Sequence, residues 1–141
     1  MQQVERYIQF KTPEQREQWL SGNLHPAAVV IVLYAARIHF LLTGKPVVIT
    51  SIYRPKTADS GVHEEWRGVD LRCNDMSEDH RERWSWAIKK AFPYDYSKSL
   101  NAETALIHEV RGEDGKGRGL HLHVQVGPLE PQPPEQVNSI A

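Results

Sequence analysis

The sequence predicts an α+β fold in which helices pack on a mainly antiparallel sheet. Helix and strand signals follow one another in the order helix, helix, strand, strand, helix, strand, strand. A glycine-rich connection joins the last two strand segments, as in a hairpin. A chain of 141 residues is long enough for one domain with a buried core. We therefore expect a single domain over residues 1–127 and an extended or disordered proline-rich tail over residues 128–141.

Three segments carry the start and stop signals of helices. A capping-box pattern at Thr12 begins a short first helix. Pro26 begins a longer second helix, apolar nearly all round, which ends at the left-handed position offered by Gly44. Ser77 caps a third helix, which Pro93 ends. The second helix should be the central helix of the fold.

Four segments are predicted to be strands, because they are rich in β-branched residues or alternate in polarity. They are residues 46–53, 68–72, 104–111 and 120–126. In the second of these, Val69 and Leu71 share one face, and Asp70 and Arg72 share the other. The glycines of residues 112–119 suit a wide hairpin loop between the last two strands.

Composition and charge exclude several classes of protein. The net charge of −1 gives no overall field that would attract nucleic acid, and we expect no nucleic-acid partner. A single cysteine, Cys73, cannot form an internal disulfide. The most apolar stretch, residues 27–42, is interrupted by Arg37 and His39, so we expect a core helix and no membrane span. The amino terminus lacks the pattern of a signal peptide.

Two histidines stand two residues apart on the last predicted strand. At this spacing His121 and His123 leave the same face of the strand, while Leu120, Leu122 and Val124 fill the other. An isolated histidine is usually a surface or hydrogen-bonded residue. Two together, beside a further polar signal elsewhere in the chain, indicate a site.

That further signal is the segment from His63 to Asp70. Asp70 lies between apolar neighbours, and a buried carboxylate is costly unless it is paired or bound to a metal. An ordinary ion pair with Arg54 or Arg72 is the structural alternative. Two neutral imidazoles and one carboxylate, His63, Asp70 and His123, form a donor set that holds Zn²⁺ and leaves one position for water. The sequence therefore predicts a zinc hydrolase.

These residues also resemble a known family. The chain contains, in order, Ser51-Ile-Tyr-Arg54, Ser60-Gly-Val-His63, Arg67-Gly-Val-Asp70 and His121-Leu-His123. This order resembles the D-alanyl-D-alanine carboxypeptidase group of zinc peptidases, to which lysostaphin and the Sonic hedgehog fold are related. The resemblance spans about Val47 to Val126 and implies a hedgehog-type fold. It also implies a peptidase acting on peptidoglycan stem peptides, as a D,D-carboxypeptidase or an L-alanyl-D-glutamate endopeptidase.

Carried over position by position, the resemblance makes His63, Asp70 and His123 the zinc ligands. Arg54 would hold a substrate carbonyl or carboxylate and assist catalysis. Ser60 would contact the substrate or the groups around the metal. A phage-type lysin, made in the bacterial cytoplasm and acting at the cell wall as a monomer, would fit the absence of a signal peptide.

The general base departs from the pattern of many members of the group. Those enzymes carry an acid three residues before the last histidine, where this chain has Leu120. Lysostaphin-like members use a His-x-His pair, so His121 is the candidate base, with Glu109, Glu113 or Asp114 as alternatives. Two other functions stay open at this point: an Fe(II) oxygenase with the same donors, and a zinc-containing binding module without catalysis.

Overall fold

The computed structural model describes residues 6–55, 63, 65–93, 103–111 and 117–127. The expected tail, residues 128–141, lies outside this part of the chain. The described elements are, in order, β1 (Ile8–Phe10), α1 (Pro13–Leu20), α2 (Pro26–Thr43), β2 (Val47–Ser51), β3 (Gly68–Arg72), α3 (Glu78–Ala91), β4 (Ala105–Arg111) and β5 (Gly117–Gln125).

The helices begin and end where their local signals predict. The side-chain oxygen of Gln15 accepts from the backbone N–H of Thr12 at 2.7 Å, which satisfies a donor at the start of α1. Helix α2 ends at Gly44, whose φ of 72° is the left-handed conformation that glycine adopts without steric cost. The hydroxyl of Ser77 accepts from the N–H of His80 at the start of α3.

The five strands form one sheet in the order β1-β2-β3-β5-β4. The α+β class is confirmed, but the expectation of a mainly antiparallel sheet is corrected: the sheet is mixed, because β1 pairs in parallel with β2. The pairings of β2 with β3, β3 with β5 and β4 with β5 are antiparallel. Strand β1 was not predicted, because three residues are too few to display a period of two.

One face of the sheet forms the core against α2 and α3. Side chains with no exposed surface line this face, among them Ile49, Val69, Leu71, Leu122 and Val124. Trp84 of α3 is also fully buried, and its indole N–H donates to the carbonyl oxygen of Ala35 in α2 at 2.8 Å. This bond satisfies the polar end of a large apolar side chain and fixes α3 against α2.

Helix α2 is, among the described residues, the one segment long and apolar enough to cross a membrane, judged by length and composition alone. A helix in a protein core meets the same criteria. Here Ala28, Val32 and Ala36 are buried, and α2 contacts both α3 and the sheet. The expectation of no membrane span stays a prediction.

The opposite face of β3 and β5 carries the polar side chains. Because residues paired across antiparallel strands share a face, Asp70 lies opposite His123, and Arg72 lies opposite His121. The alternation that the sequence predicts on each strand therefore brings two polar rows side by side.

Candidate metal centre

Asp70 lies at the middle of the candidate site. Its side chain is 6% exposed, and the hydroxyl of Thr50 on β2 donates to its backbone carbonyl at 3.3 Å. The pairing of β3 with β5 brings the carboxylate oxygen Oδ1 to 2.8 Å from Nδ1 of His123. These two residues lie 53 positions apart in the sequence. The register of the sheet therefore assembles this half of the site.

His63 reaches the same carboxylate from the segment between β2 and β3. Its Nδ1 lies 2.8 Å from the carbonyl oxygen of Ile52, and because a carbonyl only accepts, Nδ1 must carry the proton. In the neutral ring Nε2 then presents a lone pair. This atom is buried without a hydrogen-bond partner and lies 3.3 Å from Oδ1 of Asp70.

Gln125 fixes the orientation of His123 in a corresponding way. The amide nitrogen of Gln125 donates to the carbonyl oxygen of Glu103 at 3.0 Å, so the amide oxygen must face the imidazole. That oxygen lies 3.2 Å from Nε2 of His123, which therefore carries the proton. Nδ1 of a neutral His123 then presents a lone pair to Asp70.

Three electron-pair donors thus converge on one point: Nε2 of His63, Nδ1 of His123 and Oδ1 of Asp70. The ligand atoms of this buried group all lie within 4.8 Å of one another. Neutral imidazoles facing a carboxylate in this way repel it, and a single added proton can bridge only one of the two contacts. A divalent cation can satisfy all three donors at once. The residues therefore fit a metal ion.

The carboxyl of Asp70 is well suited to this role. Burial acts to raise its pKa, but hydrogen bonds and positive charge from the imidazoles of His123 and His63, when their inner ring nitrogens carry protons, lower it by more, so the pKa lies well below its usual range. The group is consequently ionised at neutral pH. An anionic oxygen with two imidazole nitrogens is a ligand set common at zinc sites.

The ion pair considered as an alternative for Asp70 is weak. Nη2 of Arg54 lies 3.8 Å from Oδ2, too far for a hydrogen bond, and the Arg54 side chain is 40% exposed. Arg72 shares the face with Asp70 but forms no ion pair with it. Arg54 contacts Oδ2 of Asp70, whereas His63 and His123 contact Oδ1. Arg54 therefore lies at the edge of the site.

His121 lies beside the three converging groups. Its Nε2 is 3.7 Å from Oδ1 of Asp70, and its side chain is 12% exposed. It is thus more accessible than His63, whose exposed fraction is 1%. This partly exposed imidazole therefore lies next to Asp70, a candidate metal ligand.

The remaining predicted site residues are Ser60, Glu109, Glu113 and Asp114. Ser60, Glu113 and Asp114 lie outside the described residues. Glu109 pairs with Leu120 on β5, a register position out of phase with His121 and His123. Of the candidate bases whose position is described, His121 is the one on the same face of the sheet as the candidate metal ligands Asp70 and His123.

Sequence reasoning missed Gln125 and the carbonyl of Ile52, the two acceptors that orient the imidazoles. A signal for Gln125 was present, because it stands two residues after His123 and so shares its face. No local signal identifies Ile52, because its contribution is a backbone oxygen.

The chain was compared with protein-family models, with curated proteins and with solved structures. None of the three comparisons gives a match. The buried group of His63, Asp70 and His123 is therefore the feature from which function is inferred.

Proposed function

We propose that this protein is a zinc-dependent peptidase that hydrolyses amide bonds in peptidoglycan stem peptides. The observation that carries the proposal is the convergence of Nε2 of His63, Nδ1 of His123 and a carboxylate oxygen of Asp70, with the outer nitrogens of the two rings bound to Ile52 and Gln125. Two nitrogens and one carboxylate oxygen suit zinc, and three protein ligands are typical of catalytic zinc sites.

The proposed substrate class rests on the sequence motifs. The Tyr-Arg pair, the His-x6-Asp spacing and the final His-x-His occur in the order found in peptidoglycan peptidases related to D-alanyl-D-alanine carboxypeptidase. The α+β architecture is compatible with the hedgehog-type fold of that group. Because the motifs and the architecture both agree with that group, we propose this fold as well.

His63, Asp70 and His123 would hold the zinc ion, whose chemistry there would be to lower the pKa of a water molecule to about 7 and to polarise a carbonyl group. The protein's own residues then supply orientation and proton transfer. Ile52 and Gln125 hold the two ring tautomers, and the anionic Asp70 partly offsets the charge of the cation. The imidazole of His121 would take a proton from the attacking water and return it to the leaving amine.

Arg54 contributes to substrate binding at the edge of this site. Its guanidinium is partly exposed, and the contact of 3.8 Å with Asp70 places it beside the ligand group. An arginine there can donate two parallel hydrogen bonds to a carboxylate, or one to the carbonyl oxygen that becomes negative during hydrolysis.

The proposal is tested by metal analysis combined with cleavage of synthetic stem peptides. Protein purified without added metal should contain close to one zinc per chain, and a chelator should stop the release of fragments. The variant Asp70→Asn, which keeps the size of the side chain but removes its charge, should lose both metal and activity.

Other outcomes separate the alternatives. Iron in place of zinc would favour the oxygenase. Zinc at full occupancy with stem peptides left intact at high protein concentration would favour the binding module. Retention of zinc by Asp70→Asn would contradict the ligand assignment.

A further inference from the structure

A second feature lies on the polar face of the sheet, next to His121. A cleft of about 180 Å³ is lined by Lys11, Thr50, Arg72, Asn74, Gly119, Leu120 and His121. It has two cationic side chains, and no acidic residue is among those that line it. The volume is sufficient for a small anionic group with a few waters.

The two cations have no partner in the part of the chain that is described. Arg72 is half-buried, and neither its guanidinium nor the ammonium of Lys11 takes part in an ion pair or side-chain hydrogen bond. Arg72 stands directly opposite His121 across the β3–β5 pair, so its side chain leaves the polar face of the sheet. A bound anion would supply the partner that these two cations lack.

The backbone keeps the cleft open. Gly119 has a φ of 106°, a conformation that side-chain-bearing residues rarely adopt, and a Cβ there would come within 3.5 Å of the Asn74 amide. A larger residue at position 119 would have a strained backbone, and its side chain would take up space in the cleft next to Asn74.

We propose that this cleft is a subsite for a free carboxylate of the peptide substrate, held by Arg72 and Lys11 with polar contacts from Asn74. This inference rests on the proposed peptidase function. Arg72 follows Asp70 by two residues, so their Cα atoms are about 7 Å apart on the strand. An extended peptide advances about 3.5 Å per residue, which places the carboxylate one or two residues from the scissile bond.

Arg54 and this cleft lie on different sides of the metal centre. Arg54 contacts Oδ2 of Asp70 from the segment after β2, whereas Arg72 lies two residues farther along β3, opposite His121. The substrate would therefore meet a cation on each side of the bond that is cut. This arrangement favours acidic peptides, such as stems with a free carboxylate near the cleaved bond, over their amidated forms.

The first test does not depend on cleavage. The full chain is labelled with ¹⁵N and titrated with glutarate, and with glutaramide as the neutral control. Glutarate alone should produce saturable shifts at the amides of Asn74 and Gly119. Arg72→Gln should weaken this binding about 10-fold or more, because the variant loses the charged hydrogen bonds between the guanidinium and the carboxylate. Arg54→Gln and the remote Arg83→Gln should leave these shifts in place.

The second test uses the zinc-loaded protein and a pair of stem peptides that differ only by amidation of the free carboxylate. Arg72→Gln should raise KM about 10-fold for the acidic peptide and leave KM for the amidated peptide unchanged, with kcat altered less than twofold. Lys11→Gln, on an exposed side chain, should act in the same direction with a smaller effect. It serves as the second variant if Arg72→Gln lowers the melting temperature.

The subsite proposal and the peptidase proposal can be contradicted independently by these two tests. Absence of saturable glutarate shifts at Asn74 and Gly119, or equal shifts with glutaramide, would overturn the subsite. Glutarate binding without cleavage of either peptide would support the subsite and contradict the peptidase proposal. Equal KM values of the wild type for the two peptides would also count against a carboxylate subsite.

Discussion

At the scale of single residues, the position of one proton on each imidazole ring determines what the site can bind. Ile52 accepts the ring N–H of His63, and Gln125 accepts that of His123. In the neutral rings the lone pair of the other nitrogen then faces Asp70. Had either acceptor been a donor, the ring would carry its proton on the inner nitrogen and could not ligate a metal. The acceptors are therefore part of the site, although they would not contact the ion.

Replacing Gln125 tests this role. Gln125→Met removes the acceptor for His123 Nε2 at similar volume, and we expect zinc affinity to fall about 10- to 100-fold, as for other residues that orient metal ligands. Gln125→Glu should recover most of the affinity, because its carboxylate also accepts the N–H. Competition with a chelator measures both variants. Equal affinity of the wild type and Gln125→Met would contradict the positioning role.

His121 should be required for turnover and dispensable for metal retention. His121→Gln removes the imidazole while leaving the three candidate ligands in place, so zinc content should stay near one per chain. We expect kcat to fall about 10²- to 10⁴-fold, the range for loss of a general acid or base. His80→Gln, on α3, is the matched control. Loss of zinc from His121→Gln would instead identify His121 as a ligand.

At the scale of elements, the pairing of β3 with β5 is the critical contact. It sets Asp70 against His123 and, on the other face, Leu71 against Leu122. A slip of one residue would move the apolar set of one strand to the polar face, so burial of the core specifies the register. The same hydrophobic pairing that stabilises the sheet thus positions the ligands.

The end of α2 contains a buried histidine outside the candidate site. His39 is 4% exposed, its Nδ1–H donates to the carbonyl oxygen of Lys45 at 2.9 Å, and its ring meets the edge of Trp84. Burial lowers its pKa from the usual 6.5, although the bond to Lys45 and the charge of Asp75 act in the opposite direction. The folded protein therefore favours neutral His39.

This lowered pKa predicts a pH dependence of stability. Below about pH 6.5 the unfolded chain binds a proton that folded His39 does not, so the free energy of unfolding should decrease as pH falls toward the folded-state pKa. His39→Gln should remove this part of the dependence. Urea unfolding from pH 5 to pH 8 measures it for both proteins. Identical pH profiles would show that His39 makes no such contribution.

At the scale of the whole molecule, the three candidate metal ligands come from separate places in the chain. His63 precedes β3, Asp70 lies within β3 and His123 lies within β5. A metal bound to all three is bound only by the folded protein, and its binding free energy adds to the free energy of unfolding.

Zinc should therefore raise the melting temperature. At a free concentration of 100 times Kd the added stability is about 2.7 kcal/mol. For a chain of this size, that corresponds to a rise of about 5–10 °C. The rise should be absent in Asp70→Asn and with Mg²⁺, which prefers oxygen ligands. Differential scanning calorimetry measures it, and an equal rise in Asp70→Asn would place the zinc elsewhere.

Local spacing in the sequence determined the features that depend on a few neighbouring residues. The bounds of the helices follow from caps at Thr12, Ser77 and Gly44, and the shared face of His121 and His123 follows from the period of a strand. The donor set itself, two histidines and an aspartate, was also visible, because those residue types have few other roles when placed between apolar neighbours.

Tertiary structure decided which groups face one another. The parallel pairing of β1, the opposition of Asp70 and His123, the acceptor role of Gln125 and the cleft beside Arg72 all depend on contacts between strands. Such contacts join residues that are distant in the sequence, and they are selected by burial of the whole core. A local pattern fixes the direction of a side chain, but only the packed sheet fixes its partner.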